Sequence, residues 1–492
     1  MLEPRGGTCN WLTNLKIADV TSSAIGVSLK RRRIYPVTTK ACGTMKMQPT
    51  MKSKMRQLDL FVDERSLFER LCDQANLFAG FVAVKKNGGS PGIDDVTVED
   101  FGNRVDEELA QLKKELENWS YKPSPVRRVE IPKPGKGAGV RLLGVPCVRD
   151  RVIHSTLKLL LEPILDPTFS EHSYGFRPGR SPQKAVEAAK SIVNSGKEYV
   201  VDIDLSKFFD RVNHDRLIYL LSGHITDKQI LRLIGMILRS GVMSKGTVTL
   251  TREGTVQGSP LSPLLSNVVL DELDKELERR GLEFCRYADD CNVFVRSPKA
   301  ANRVMASISK FIEKKLKLKI NREKSKVGRS KDVKFLGMTV INGTVAISAQ
   351  SMKRAMQKVK ELTPRGTHIS LELTIKRINS WYKGWSGYYL MTQYPSQFAR
   401  IEAHTRRRLR ARFVDQQKRR RHLFKKLKKR GVSRKTAAQT AFSNKGRWAL
   451  SWTSTLHRAY PNRWFINGLG QEIRSTDKMK HWFKLSRWVN VT

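Results

Sequence analysis

The chain has 492 residues, too many for one compact core, and 39% of them are hydrophobic, which excludes wholesale disorder. It carries 92 Lys and Arg against 46 Asp and Glu, and a net charge of +46 points to a polyanionic partner, bound tightly and in a salt-sensitive way. No apolar run approaches the roughly 20 residues of a membrane span. The six cysteines (Cys9, Cys42, Cys72, Cys147, Cys285, Cys291) form no C-x-x-C pair, so they read as reduced thiols of an intracellular protein, with a cytoplasmic location expected.

Residues 1–56 are rich in Ser, Thr, Lys and Arg, with only Glu3 and Asp19 acidic and a run Lys30-Arg31-Arg32-Arg33. They predict a basic, disordered leader or an arm that folds on RNA. An organelle transit peptide and a start codon placed too early, with Met45, Met47, Met51 or Met55 as the true start, are equally compatible. Helical spacing runs from Ser66 to Ala83 (Leu67, Leu71, Ala75, Phe78) and ends in the turn Asn87-Gly88-Gly89-Ser90-Pro91-Gly92. Val96 to Asn118 also reads as helical. Val126–Pro132 and Val140–Val145 predict a basic β-hairpin around Lys133-Pro134-Gly135-Lys136-Gly137. Helices follow over Val152–Leu165 and Pro182–Asn194.

Tyr199–Leu205 predicts a strand with Val201, Ile203 and Leu205 on one face, Asp202 and Asp204 on the other. A helix opens at Ser262, read as its cap, with Pro263 in the first turn, and ends at Gly281. Phe284–Val295 reads as two strands around a turn at Ala288-Asp289. Beyond residue 346 the spacing predicts helices over Met352–Leu362, Leu373–Leu390 and Gln397–Phe413. Arg406 to Arg430 holds fourteen Lys or Arg and one acid, Asp415.

The sharpest chemical feature is Tyr287-Ala288-Asp289-Asp290. Adjacent carboxylates in a hairpin turn are costly unless a cation sits there, although Asp is also an ordinary turn residue. Asp204, at the end of an apolar strand, needs a partner too; Lys207 or Arg211 can supply a plain salt bridge. Three carboxylates on adjacent strands form a cage for two Mg²⁺ ions. Two such ions, roughly 4 Å apart, suit in-line nucleotidyl transfer.

These motifs resemble the metal-binding motifs of reverse transcriptases, and others follow in order. Arg127–Pro134 and Arg141–Pro146 resemble the fingers hairpin, and His172–Arg180 the motif after it. Gln257–Asn267 resembles the segment lining the nascent base pair. Leu318–Asn321, Glu323–Lys326 and Phe335–Gly337 resemble the last palm motifs. The combination is similar to bacterial group II intron reverse transcriptases, most closely the endonuclease-less class C, from about residue 60 onward.

The resemblance implies an α+β, right-hand polymerase. Fingers and palm, with an antiparallel sheet, span 57–345. A helical thumb or maturase domain spans 346–425, and a small basic DNA-binding region spans 426–492. It implies Asp204, Asp289 and Asp290 as catalytic metal ligands, helped by a backbone carbonyl near Ile203 or Leu205. Lys133 and Arg141 would hold the triphosphate, and Phe209 would exclude a 2′-hydroxyl. Gln257 would touch the new base pair, with Lys324 near the phosphates. Template or intron RNA contacts are expected at Asn87, Arg177, Arg180, Arg406, Arg407, Arg408, Arg410, Lys418, Arg419, Arg420, Lys425 and Lys426. The aromatics of Trp381–Tyr389 are expected in the thumb core.

The implied partners are intron RNA, target DNA and deoxynucleotides, with no membrane, and a homodimer as one option. The implied function is RNA-directed DNA synthesis for a mobile intron, with assistance to splicing and retrohoming. Another bacterial reverse transcriptase class, or an RNA-binding splicing protein with a dead polymerase, are the alternatives. Ser259 departs from the pattern, standing where a second Gly is usual. If that position needs a positive φ, the side chain adds strain.

Overall fold

The computed structural model describes residues 65–132, 139–244, 247–249, 253–364 and 366–462. The chain divides into two units, Met1–Arg65 and Ser66–Thr492, and every element named below belongs to the second. The expected leader, the hairpin tip with Lys133, and the chain after Asn462 lie outside the described residues.

The first helical stretch is two helices, α1 (Leu67–Cys72) and α2 (Gln74–Asn87), because Asp73 leaves helical geometry and its carboxylate caps the amide of Ala75. The second is likewise split at Arg104 into α3 (Val98–Asn103) and α4 (Val105–Glu117). The hairpin β1 (Val126–Pro132) and β2 (Val140–Val145) forms as its alternation predicts. Helices α5 (Val148–Leu165) and α6 (Pro182–Asn194) then precede β3 (Tyr199–Asp204). Helices α7 (His214–Ser222) and α8 (Lys228–Leu238) follow, then two short strands, β4 (Val242–Ser244) and β5 (Thr247–Thr249). These strands extend the hairpin into a sheet ordered β2-β1-β4-β5, in which β1 and β4 run parallel.

The long helix α9 (Ser262–Arg279) has Pro263 in its first turn. Ser262 is its first residue rather than its cap, and its hydroxyl donates to the Val256 carbonyl instead. Strands β6 (Glu283–Tyr287) and β7 (Asp290–Val295), helix α10 (Pro298–Lys314) and β8 (Lys326–Arg329) complete a second sheet. Its order is β6-β7-β3-β8, and every pairing in it is antiparallel. One face carries Val201, Ile203, Cys291 and Val293 into a core shared with α1, α2, α5 and α9. On the other face α6 buries Ala185, Val186 and Ala189 against Val200, Phe294 and the hairpin β9 (Met338–Ile341) and β10 (Thr344–Ile347). The polar ends of β3 and β7 emerge from this second face.

The helical remainder comprises α11 (Ala349–Leu362), α12 (Leu371–Tyr388), α13 (Pro395–Gln416), α14 (Arg420–Lys429), α15 (Arg434–Ala441), α16 (Arg447–Leu450) and α17 (Ser454–Ala459). One apolar cluster runs through it from Ile347 to Tyr460. The boundary expected at residue 425 therefore falls inside α14, whose Leu423 and Leu427 pack into that same cluster. Trp381, Trp385 and Tyr389 lean against this core, and Tyr382 is buried in it.

Candidate active site

The three candidate carboxylates meet where β3 and β7 end. Asp204 lies opposite Asp290 in the β3–β7 ladder, and Tyr287 opposite Asp290 in the β6–β7 ladder, leaving Ala288 and Asp289 as the turn. Ala288 adopts a left-handed φ of 57°. Burial pushes the Asp290 carboxyl up to about 7, and the like charges of Asp202, Asp289 and Asp204 add to it. Asp289 is also raised, first by burial and then by Asp204, against the pull of Arg141 and Lys324. Asp202, two residues along the same strand face from Asp204, rises to about 6 for the same leading reason.

As the side chains stand, no three His, Cys, Asp or Glu groups among the described residues close on one point as a metal cage. Lys324 rests its ammonium 3.8 Å from Asp204 Oδ2 instead. The donor chemistry nonetheless fits a hard dication. The ligands are all oxygen, and half-buried, mutually repelling carboxylates lack positive charge. The strand end is braced by Ser325, whose hydroxyl accepts the Asp204 amide at 3.0 Å, and by Asn321, whose amide donates to the Asp204 carbonyl at 2.9 Å. Ile203 pairs with Cys291 and Leu205 bridges to Ile320, with both side chains in the core.

Arg141 and Lys324, expected near phosphates, do stand within electrostatic reach of Asp289. Phe209 is half-buried in a short 3-10 turn, edge-on to Phe208, and its carbonyl accepts the Thr255 amide at 2.6 Å. Gln257 sits on a turn whose carbonyl accepts the Gly144 amide of β2 at 2.7 Å. A cleft of ≈ 520 Å³ opens beside it, lined by Arg128, Gly144, Lys207, Arg211, Gln257 and Lys319 among others. Positive φ in this turn falls on Gly258 (120°) and not on Ser259. A Cβ on Gly258 would lie 2.3 Å from the Gly144 carbonyl oxygen. Ser259 is unstrained and buried, its hydroxyl 3.1 Å from His154 Nδ1 and 3.3 Å from the Leu261 amide that donates to it. Burial pushes His154 down to about 3, so the ring is neutral.

The expected nucleic-acid contacts separate into two groups. Arg177 belongs to the interior: its guanidinium donates to the Asp166 carboxylate and to the carbonyls of Ser170 and Ser173. Arg410 is buried too, with Nε 2.9 Å from the Tyr460 carbonyl oxygen. Arg408 binds the Thr363 hydroxyl, Arg406 pairs with Glu402 and Arg180 with Glu171. Arg407 lies over the Trp448 ring at 4.1 Å. Arg177 and Arg410 are therefore committed to the interior, while Arg180, Arg406, Arg407 and Arg408 have protein partners but stay half-buried. Asn87, Lys418, Arg419, Arg420, Lys425 and Lys426 are exposed.

The residue that sequence reading missed is Arg286, the neighbour of Tyr287. It is fully buried, binds Asp274 and Asn267, and donates to the Ala288 carbonyl at 3.1 Å. An Arg flanked by Phe284, Cys285 and Tyr287 in a strand was the available signal.

The arrangement is a polymerase palm followed by a helical domain, and comparisons with known proteins say the same. Residues 131–340 match the family described as reverse transcriptase (RNA-dependent DNA polymerase). Residues 352–431 match the group II intron, maturase-specific domain. The chain is 32% identical over 295 residues to protein YkfC of Escherichia coli (strain K12), covering 52% of this chain and 77% of that protein. It is 28% identical over 345 residues to the group II intron-encoded protein LtrA of Lactococcus lactis subsp. cremoris, covering 56% of this chain and 57% of LtrA. A solved structure titled partial Cas6-RT-Cas1--Cas2 complex matches at 25% identity and a TM-score of 0.34, over 51% of this chain and 43% of that one. The chain belongs to the reverse transcriptases, RNA-directed DNA polymerases, in the group II intron-encoded branch that carries the maturase-specific domain.

Proposed function

We propose that this protein extends a primer 3′-end with deoxynucleotides on an RNA template, and that it binds a bacterial group II intron RNA in the cytoplasm, assisting its splicing and its retrohoming into target DNA. The observation that carries the polymerase is Asp204 opposite Asp290 with Asp289 in the adjoining turn, faced by Arg141 and Lys324. Asp204, Asp289 and Asp290, with a backbone carbonyl near Ile203 or Leu205, would hold Mg²⁺. The chemistry Mg²⁺ would supply there is acidification of the attacking hydroxyl and neutralisation of the leaving pyrophosphate. Arg141 and Lys324 bind the triphosphate oxygens, with Lys133 assigned the same task by its place in the motif. Phe209 packs under the sugar, where a 2′-hydroxyl would collide. Gln257, on a turn tied to β2, orients the new base pair.

The largely exposed basic run Lys418–Lys426, inside the maturase-specific match, supports RNA binding. That role needs no reacting group of its own.

The test is deoxynucleotide incorporation on poly(rA)/oligo(dT) with Mg²⁺, beside an Asp289→Ala, Asp290→Ala double variant. Activity in the first and none in the second is expected. Absence of activity in both, with tight RNA binding, would instead favour a splicing protein without polymerase activity.

A further inference from the structure

Phe176 occupies a backbone state that its own side chain disfavours. Its φ is 60°, in the left-handed region where a bulky residue is a genuine outlier, yet the residue is 45% exposed and so is not held there by burial. Its neighbours impose the conformation. A Cβ on Gly175 would lie 2.2 Å from the Ala288 amide nitrogen, so the chain is pressed against the catalytic turn, and the Gly175 carbonyl accepts the Asn267 amide at 2.9 Å. On the other side Arg177 is anchored inside, with Nε 2.7 Å from Asp166 Oδ1 and Nη1 2.5 Å from the Ser170 carbonyl oxygen. Between two fixed points, Phe176 is left with its ring 6.3 Å from that of Tyr287, whose strand leads into Asp289 and Asp290. An exposed aromatic held in strain beside a reaction centre costs stability and recovers little of it by packing. Such strain persists where a function uses it.

We propose that Phe176 is a primer–template contact, its ring packing against the terminal base pair presented to the catalytic turn. An aromatic face accepts any nucleobase through stacking, which suits an enzyme that must read every template sequence. A chain of net charge +46 attracts such a polyanion. The assignment rests on the polymerase reading above.

The test uses the full chain and an RNA/DNA primer–template duplex, its Kd measured by fluorescence anisotropy without nucleotide, beside Tm and the KM for deoxynucleotide. Phe176→Gly and Phe176→Asn suit a positive φ, so Tm should hold or rise. Duplex affinity should nevertheless fall about ten-fold, the loss of one stacked base. Phe176→Tyr should bind the duplex like wild type. Unchanged Kd in the Gly and Asn variants would overturn the inference, as would a lower Tm with Kd preserved, which makes the ring a packing element. A shift in nucleotide KM with duplex Kd intact would also overturn it, placing the ring on the incoming nucleotide. A wild-type chain that neither binds nor extends the duplex would sink the polymerase reading itself.

Discussion

Arg286 and Asp274 are paired wholly out of solvent, with Nε 2.7 Å from Oδ1 and Nη2 2.5 Å from Oδ2. The same guanidinium reaches the Ala288 carbonyl and the Ser173 hydroxyl, so one buried charge ties α9, the segment after α5 and the catalytic turn together. Replacing Arg286 with Leu strands the Asp274 carboxylate in the core. We expect a loss of about 3–5 kcal/mol in urea unfolding. The double change Arg286→Met, Asp274→Leu should recover much of that stability without recovering polymerase activity, since the turn loses its brace. A double variant as unstable as the single would contradict this account.

Folding should take up protons between pH 4 and pH 7. Asp150 and Asp202 sit near 6 and Asp290 near 7, all raised by burial from the ordinary 3.8. In that window the folded chain keeps protons that the unfolded chain has already lost, so stability falls as pH rises from about 4 and levels off above about 7. The metal-free protein should therefore melt at a higher temperature at pH 5.5 than at pH 8. Adding Mg²⁺ should raise Tm more at pH 8, where the carboxylates are ionised. Calorimetry across pH, with and without Mg²⁺, checks both statements, and a Tm flat with pH would refute the first.

Ser259 ties the Gln257 turn to two elements at once, the start of α9 through the Leu261 amide and α5 through His154. Ser259→Ala should cost about 1 kcal/mol, the usual worth of such a bond. It should also raise the KM for deoxynucleotide more than it lowers kcat, because it loosens a residue that binds rather than reacts. Ser259→Thr, which keeps the hydroxyl, should lie closer to wild type. Equal effects of Ala and Thr would remove the hydroxyl from the explanation.

The exposed and buried members of the basic run should behave oppositely. Changing Lys418, Arg419, Arg420, Lys425 and Lys426 to Ala should weaken RNA binding and flatten its salt dependence, by up to about 0.7 in log–log slope per lost phosphate contact. Arg410→Ala should instead lower Tm, because it empties a buried site and removes the donation of Arg410 Nε to the Tyr460 carbonyl. Filter binding across salt concentrations, read beside melting curves, separates the two.

Much of the site was legible from residue spacing alone. A strand repeats every two residues, so Asp202 and Asp204 had to share the face opposite Val201 and Ile203. A hairpin of apolar arms had to place Ala288 and Asp289 at its tip. Net charge announced a polyanion, and the order of motifs announced the palm. Local periodicity carries such information because it depends only on neighbours along the chain.

What only the tertiary structure decided is which charges face inward. Arg177 and Arg410 read like Arg419 in sequence, but the first two find carbonyl or carboxylate acceptors in the interior, while Arg419 is exposed. The Arg286–Asp274 pair, the left-handed Phe176 and the single core running past residue 425 to Tyr460 likewise arise from segments distant in sequence. A buried charge is stable only where its partners happen to arrive, and their arrival is a property of packing, not of the neighbouring residues.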